Sequence, residues 1–408
     1  DKTFKEQADF LTDMIAIALG QYSMKTSWDA ALKTLRTFNG TTMLGQVVVS
    51  SITDAVAPML RHGFNKTVVG WEERLRTRLI PSINALSKKD ANELAMAVEY
   101  QQNSIINAYF EGSQSHTLAR HGVDRFNHVV QTTTGKLTLI SPWTNFVKNI
   151  ETHIATNDIM SRLENYSAQS NHSKTFLNEH FIDEALGARI LQQQQKWGIK
   201  NGPTWILNID KWTDIKAKDA MKGAVTKNVR GTILTPGAGE GALWLQKSQL
   251  GKAILQFQPF IMSATGNIFL RSLQQSDAYI LSGLMAIGSF GIFSQLIKDK
   301  LAGRESNYST NELLQLAVSN SGMAGILSSQ AFNLIRSPVS RKNAHRYQDK
   351  GVVEYLGGPS ASTLNNVYKL LKALGSGDFD EGTAKTALRL TPYNNLFYIK
   401  GLMRALDN

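Results

Sequence analysis

Cysteine is absent from the 408-residue chain. That excludes disulfides, thiolate metal sites and a cysteine nucleophile, and it suits a protein that must work in both reducing and oxidising surroundings. Proline is scarce, with nine residues, and no long Gly/Ser linker separates domains. Low-complexity tracts are nearly missing, "QQQQ" at Gln192 to Gln195 being the exception. Clear period-two alternation is also rare, which argues against a sheet-based fold. The chain opens on "DKTFKEQADF", without an initiator Met and without a charged-then-apolar leader. This start predicts a trimmed fragment or part of a longer chain, and no signal peptide.

What is present points to buried helices and a polyanion. Hydrophobic residues make up 42% of the chain and charged residues 19%, enough for one large core or several smaller ones. The net charge of +11 favours nucleic acid, an anionic membrane surface or an acidic protein, with simple solubility as the plain alternative.

Helix punctuation recurs along the chain. "DANE" (Asp90 to Glu93) and "STNE" (Ser309 to Glu312) each set an N-cap oxygen three residues before a Glu, the capping-box pattern. "TPYNN" puts Pro392 at an expected first helical position, and "ALGSG" after Lys372 predicts a helix stop on glycine. "FLNEHFIDEALGARILQQQQKW" reads as one amphipathic helix on Phe176, Phe181, Leu186, Ile190 and Leu191. "VVQTTTGKLTLI" (Val129 to Ile140) is β-branched but broken by Gly135, and reads as helix or irregular. The expected fold class is mainly α, an extended multi-helix architecture with few or no strands. Breaks at "WGIKNGPTWILN" and "RGTILTPGAGEGALW" divide the pattern into regions 1–200, 201–241, 242–350 and 351–408.

No enzyme is legible. "GAGEG" (Gly237 to Gly241) lacks the spacing and the Lys-Ser/Thr of a phosphate loop, and reads as a flexible entry to a helix. His116, His121 and His128 are spaced by five and seven residues, and no carboxylate pair completes a zinc site there, so they read as solvated or hydrogen-bonded histidines. "GLM" at Gly283 and Gly401 evokes a transglycosylase signature, but neither copy is followed by Gln and no catalytic Glu-Ser accompanies them. No catalytic, cofactor-binding or metal residues are therefore assigned. The tract "RSPVSRKNAHRYQDK" carries Arg336, Arg341, Lys342, Arg346 and Lys350 against Asp349 alone. Such a cluster suits DNA phosphates or anionic headgroups, both of which need only cations, and it is equally the composition of a solvated basic loop.

Two neighbouring segments carry no charge, Ala278 to Ile297 and Leu313 to Ile335. The first is long enough to cross a bilayer as a helix. Basic outer flanks, with Arg271 before the pair and the Arg336 tract after it, fit a hairpin with both ends on the cytoplasmic side. The second segment holds Gln315, Ser319, Asn320, Ser321, Ser328, Ser329, Gln330 and Asn333, whose amides and hydroxyls oppose permanent lipid exposure. Three readings stay open: helices buried in a soluble assembly, stable membrane spans, and a hairpin packed in protein in one state and exposed to lipid in another. Ile280, Leu284, Ile287, Phe290, Leu316 and Ile326 are its candidate membrane-contacting residues, and the glycines at 283, 288 and 291 mark close helix contacts.

Several stretches, in order, resemble one family. "AILQFQPFIMSATGNIFLRSLQ", followed by the Gly-rich uncharged helix, is similar to a segment of the largest internal virion protein of short-tailed coliphages and their relatives. "SPWT" before "NFVKNIETHIATNDIMSRL", "TFNGTTMLGQVVVSSITDAVAPMLRHG" and the closing "TAKTALRLTPYNNLFYIKGLMRAL" resemble further parts of it. The resemblance implies the C-terminal region of an ejection protein: homo-oligomeric, packed in the virion interior with other core proteins on the portal. It implies release ahead of the phage DNA into the host periplasm and inner membrane, forming a conduit for genome delivery. A full-length parent of this kind often carries an N-terminal lytic transglycosylase, whose motifs are not in this sequence. Two other readings stay open: the C-terminal module of a giant virion-packaged enzyme such as an RNA polymerase, and a cellular helical DNA- or membrane-binding protein.

Overall fold

The computed structural model describes residues 2–18, 26–79, 81–94, 109–110, 122–164, 166, 170–202, 204–233, 235, 247–254, 256–257, 260, 263, 266, 278–320 and 358–400. These residues are mainly α-helical, with two short strands. The helices are α1 (Lys2–Ala18), α2 (Ser27–Met43), α3 (Val47–Ser50), α4 (Met59–Arg78) and α5 (Pro81–Leu94). There follow α6 (Val123–Leu137), α7 (Ile140–Leu163), α8 (Asn171–Glu179) and α9 (Glu184–Trp197). The strands β1 (Ile199–Asn201) and β2 (Thr204–Ile206) form an antiparallel hairpin across Gly202. Next come α10 (Ile215–Thr232), α11 (Gln249–Ile254), α12 (Ala278–Ala302), α13 (Thr310–Asn320), α14 (Gly358–Ser376) and α15 (Glu381–Leu390).

Helix α7 is the axis of the fold. Leu139 in the left-handed region ends the turn from α6 and starts it. "SPWT" occupies its first turn rather than preceding it, because Pro142 sits where a backbone N–H has no intrahelical partner to lose. Further along, Ile159, Met160 and Leu163 enter the main core with Phe176 and Leu177 of α8, Ile190 of α9 and Trp205 of β2. Met221, Val225 and Val229 of α10 close that core from the other side. One core is thus built from both sides of the break at residue 200. The hairpin is pinned there because Asn157 Oδ1 accepts the Trp205 N–H at 2.9 Å.

Several helix boundaries differ from the sequence pattern. The segment from Phe176 to Trp197 is two helices, because Asp183 accepts the Leu186 N–H at 2.8 Å and caps α9. Phe181, counted toward an apolar face, sits in the intervening turn at positive φ and is 80% exposed. "DANE" lies in the last turns of α5 and starts nothing: Asp90 points inward and accepts the Leu207 and Ile209 N–H groups. Pro392 falls in a turn after α15, whose C-cap is Thr391. "VVQTTTGKLTLI" is helical through Gly135 to Leu137. By contrast, the Ser309/Glu312 box opens α13, with the Ser309 N–H donated to Glu312 at 2.8 Å. Helix α14 stops before Gly377, whose φ of 71° is left-handed.

The C-terminal part returns to α2. Asn39 donates to Gln256 and Ser360 and accepts from Thr363, so the base of α14 is tied to α2 by a buried polar cluster. The Tyr393 N–H reaches Thr41 O at 2.9 Å.

Candidate functional site

The uncharged segment forms α12, a helix apolar on nearly every side, as in core helices and membrane spans. Among the described residues, one helix, Leu281–Ala302, is long and apolar enough to cross a membrane, and about a third of its apolar window is buried. Its inner face packs on α4 and the 3-10 turn Ser51–Ala55 that precedes it. Ile287 is buried with Val56, Met59 and Leu60, and Leu284 and Phe290 are partly buried against the same cluster. Gly283 allows this approach, since a Cβ there would lie 2.5 Å from Leu60 Cδ2 and 2.9 Å from its Cα. On a second side Gly288 faces Ala317 of α13, where Leu316 is buried. Ser294 donates to Val49 O at 2.7 Å, which satisfies a hydroxyl in this apolar contact.

The outer face is uncovered. Leu281, Met285 and Phe293 are 69%, 65% and 52% exposed, at i, i+4 and i+12, and exposed Ser289 completes the row. The Ser289 hydroxyl turns back to Met285 O at 2.8 Å, leaving the row apolar in character. Leu314 of α13 is likewise exposed. The foot of α12 is polar. Asp299, buried, accepts from Gln295 at 3.0 Å, from Arg304 at 2.7 Å and from the Tyr308 hydroxyl. Gly303 at positive φ ends the helix, and the capping box of α13 follows within a few residues.

Of the candidate membrane residues, Leu284, Ile287, Phe290 and Leu316 thus face protein in this conformation. Ile280 lies in α12, but its side chain is outside the described residues, as is Ile326. Arg336, Arg341, Lys342, Arg346 and Lys350 also lie outside the described residues, as do "GAGEG", His116, His121 and the second "GLM".

The sequence reading missed a buried ionic cluster between α4 and α7. His62 lies between two carboxylates, with Nδ1 2.7 Å from Asp158 Oδ2 and Nε2 3.0 Å from Glu151 Oε1. Arg162 Nε donates to Asp158 at 2.9 Å, and its guanidinium lies 4.1 Å from the Phe176 ring centroid. Lys66 completes the set around Asp158. Burial by itself pushes His62 down, but the charges and hydrogen bonds of Glu151 and Asp158 outweigh it and its pKa stands above the ordinary value. Burial would raise Asp158, yet its hydrogen bond to His62 and the His62, Arg162 and Lys66 charges hold it far below the usual carboxylate range. The side chains of His62, Glu151 and Asp158 are wholly buried, so no substrate reaches them in this conformation. Their geometry is that of a structural clamp at the point where Gly63, at φ 79°, kinks α4. The signal was present in the spacing: Glu151, Asp158 and Arg162 recur at seven and four residues, one face of a helix.

Two further buried basic side chains, Lys148 and His153, lie on α7. Burial, helped by Arg230, lowers Lys148 to about 7, and burial beside Arg74 lowers His153 to about 3. Neither belongs to a metal centre, and no group of three or more His, Asp or Glu among the described residues could hold a metal ion. No protein-family model, no curated protein and no solved structure matches the chain.

Proposed function

We propose that this chain is a structural, non-enzymatic region of an internal virion protein of a short-tailed phage. In this reading it sits in a core stacked on the portal, self-associates with other core proteins, and after release helps to carry phage DNA across the host envelope to the inner membrane. The observation that carries the reading is the two-faced character of α12. Its inner face has the glycine and Ile287 contacts of a core helix, while Leu281, Met285 and Phe293 present an apolar row outward. A helix that is half seated in protein and half bare suits a segment covered in one setting and facing lipid in another. The collinear resemblance of "AILQFQPFIMSATGNIFLRSLQ" and its neighbours supplies the phage context, and the excess of cations suits DNA and anionic headgroups.

Flotation with anionic liposomes tests the membrane part. Wild-type protein is expected to float, and Met285→Asp to float far less while keeping its far-UV circular dichroism, because Met285 points away from the core. Leu284, one of the candidate residues of the sequence pattern, is a poorer probe because its side chain packs inward. Wild-type protein that stays at the bottom of the gradient with every vesicle composition would leave α12 as a core helix alone.

A further inference from the structure

A lysine is seldom taken out of water without an acceptor to replace it, since nothing then offsets the lost hydration of its charge. Lys148, in the third turn of α7, is 4% exposed, and among the described residues its amine has neither a hydrogen bond nor an ion pair. The charge that acts on it is of its own sign: Arg230, near the end of α10. Burial and this guanidinium together hold the amine at about 7. Carboxylates further along the same face of α7 do not answer it. Glu151 is directed to His62, and Asp158 is engaged by His62, Lys66 and Arg162. Two more polar groups lack partners where α4, α7 and α10 meet. Thr144, one turn before Lys148 on the same face, has a buried hydroxyl with no hydrogen bond. Asn228 of α10 turns its Oδ1 to Arg61 of α4 at 2.6 Å, which leaves its buried Nδ2 with no acceptor. Buried donors are as a rule satisfied, by an ion or a water if not by protein.

We propose that a small tetrahedral oxyanion, of the phosphate or sulfate class, seats at this junction as the counter-ion of Lys148 and Arg230. The chemistry of the donors sets the class. An ammonium, a planar guanidinium fork, a hydroxyl and an amide N–H can all donate, and an ion with several oxygens accepts from more than one of them. Chloride offers the same charge with no such geometry. Access sets the size. The site opens where Arg230 is exposed and closes at Lys148, so the ion enters free rather than as part of a DNA backbone or a lipid headgroup. The inference does not rest on the virion reading and holds or fails without it.

Isothermal titration calorimetry of the full chain with sodium sulfate, in chloride buffer at constant ionic strength, tests it. Wild-type protein is expected to show a single saturable site. Lys148→Met should weaken it at least ~10-fold, because a charged hydrogen bond is lost. Arg230→Gln should do the same from the exposed side of the site, where folding is not at risk. Lys216→Met, on the exposed face of α10, is the control and should bind like wild type. Without sulfate, Lys148→Met should raise the thermal midpoint, since an unpaired charge leaves the interior. A wild-type protein that takes up no sulfate would leave Lys148 a neutral buried amine and overturn the proposal. Binding that survives both substitutions would overturn it equally. So would displacement of the bound ion by a short DNA duplex, because a closed site cannot admit one.

Discussion

Replacing Asp158 with Asn tests whether the cluster between α4 and α7 is a working clamp. The substitution keeps the side chain's shape and removes one buried charge. His62, Glu151 and Arg162 then remain buried around a neutral amide, at positions wholly or almost wholly closed to solvent. Removing one partner of a buried ion pair strands the other and costs about 3–5 kcal/mol. Lys66 adds little to that figure, since its side chain is 41% exposed and its charge is screened. The expected loss is therefore carried by His62 and Arg162, and urea unfolding followed by far-UV circular dichroism should show it at pH 7. The pH profile supplies a second test. The folded pKa of Asp158 is depressed, so its contribution is complete above the unfolded value of 3.8 and is lost as pH falls through the folded value. His62 is raised, so its contribution is complete below 6.5 and is lost as pH rises through its folded value. Wild-type stability from these two groups is greatest between those limits, and Asp158→Asn should flatten the acid limb. Glu381→Gln, which breaks the exposed Glu381–Lys385 pair, is the control and should leave the curve in place. A loss below about 1 kcal/mol with the acid limb intact would refute the clamp.

Other perturbations read other parts of the structure. Gly63→Ala should cost about 1–3 kcal/mol, because φ 79° with ψ 168° is backbone that a Cβ resists; thermal unfolding reads the shift. Gly283→Val drives a branched side chain into Leu60 and should cost about 1–3 kcal/mol by the same measurement, while an unchanged transition would deny the α12–α4 contact. Asp90 is raised by burial to about 6, against the lowering effect of the Ile209 and Leu207 N–H groups. Its folded value lies above the unfolded 3.8, so it stabilises the fold as pH falls from 6 towards 4, and Asp90→Asn should remove that slope from the stability profile. Replacing Arg341, Lys342 and Arg346 with Ala should lower the salt dependence of DNA binding by about 2–3 in log–log slope. An unchanged slope would assign the tract to something other than phosphate contact.

What the amino-acid sequence determined by itself was local. Apolar spacing, the Ser309 box and Gly377 are readable because helix caps and left-handed stops are made within a few residues of chain. The apolar character of α12 was equally plain, since a long uncharged run needs no partner to be recognised. Tertiary structure decided everything that required a second segment. Asp90 looked like a cap and serves instead as the acceptor for Leu207 and Ile209, more than a hundred residues away. The charges of α7 drew no reading from the sequence, and they form a buried clamp because α4 brings His62 between Glu151 and Asp158. Even the faces of α12 were undetermined: an all-round apolar helix has no polar side to point at water, so only the position of Leu60 and Ala317 shows which side is covered.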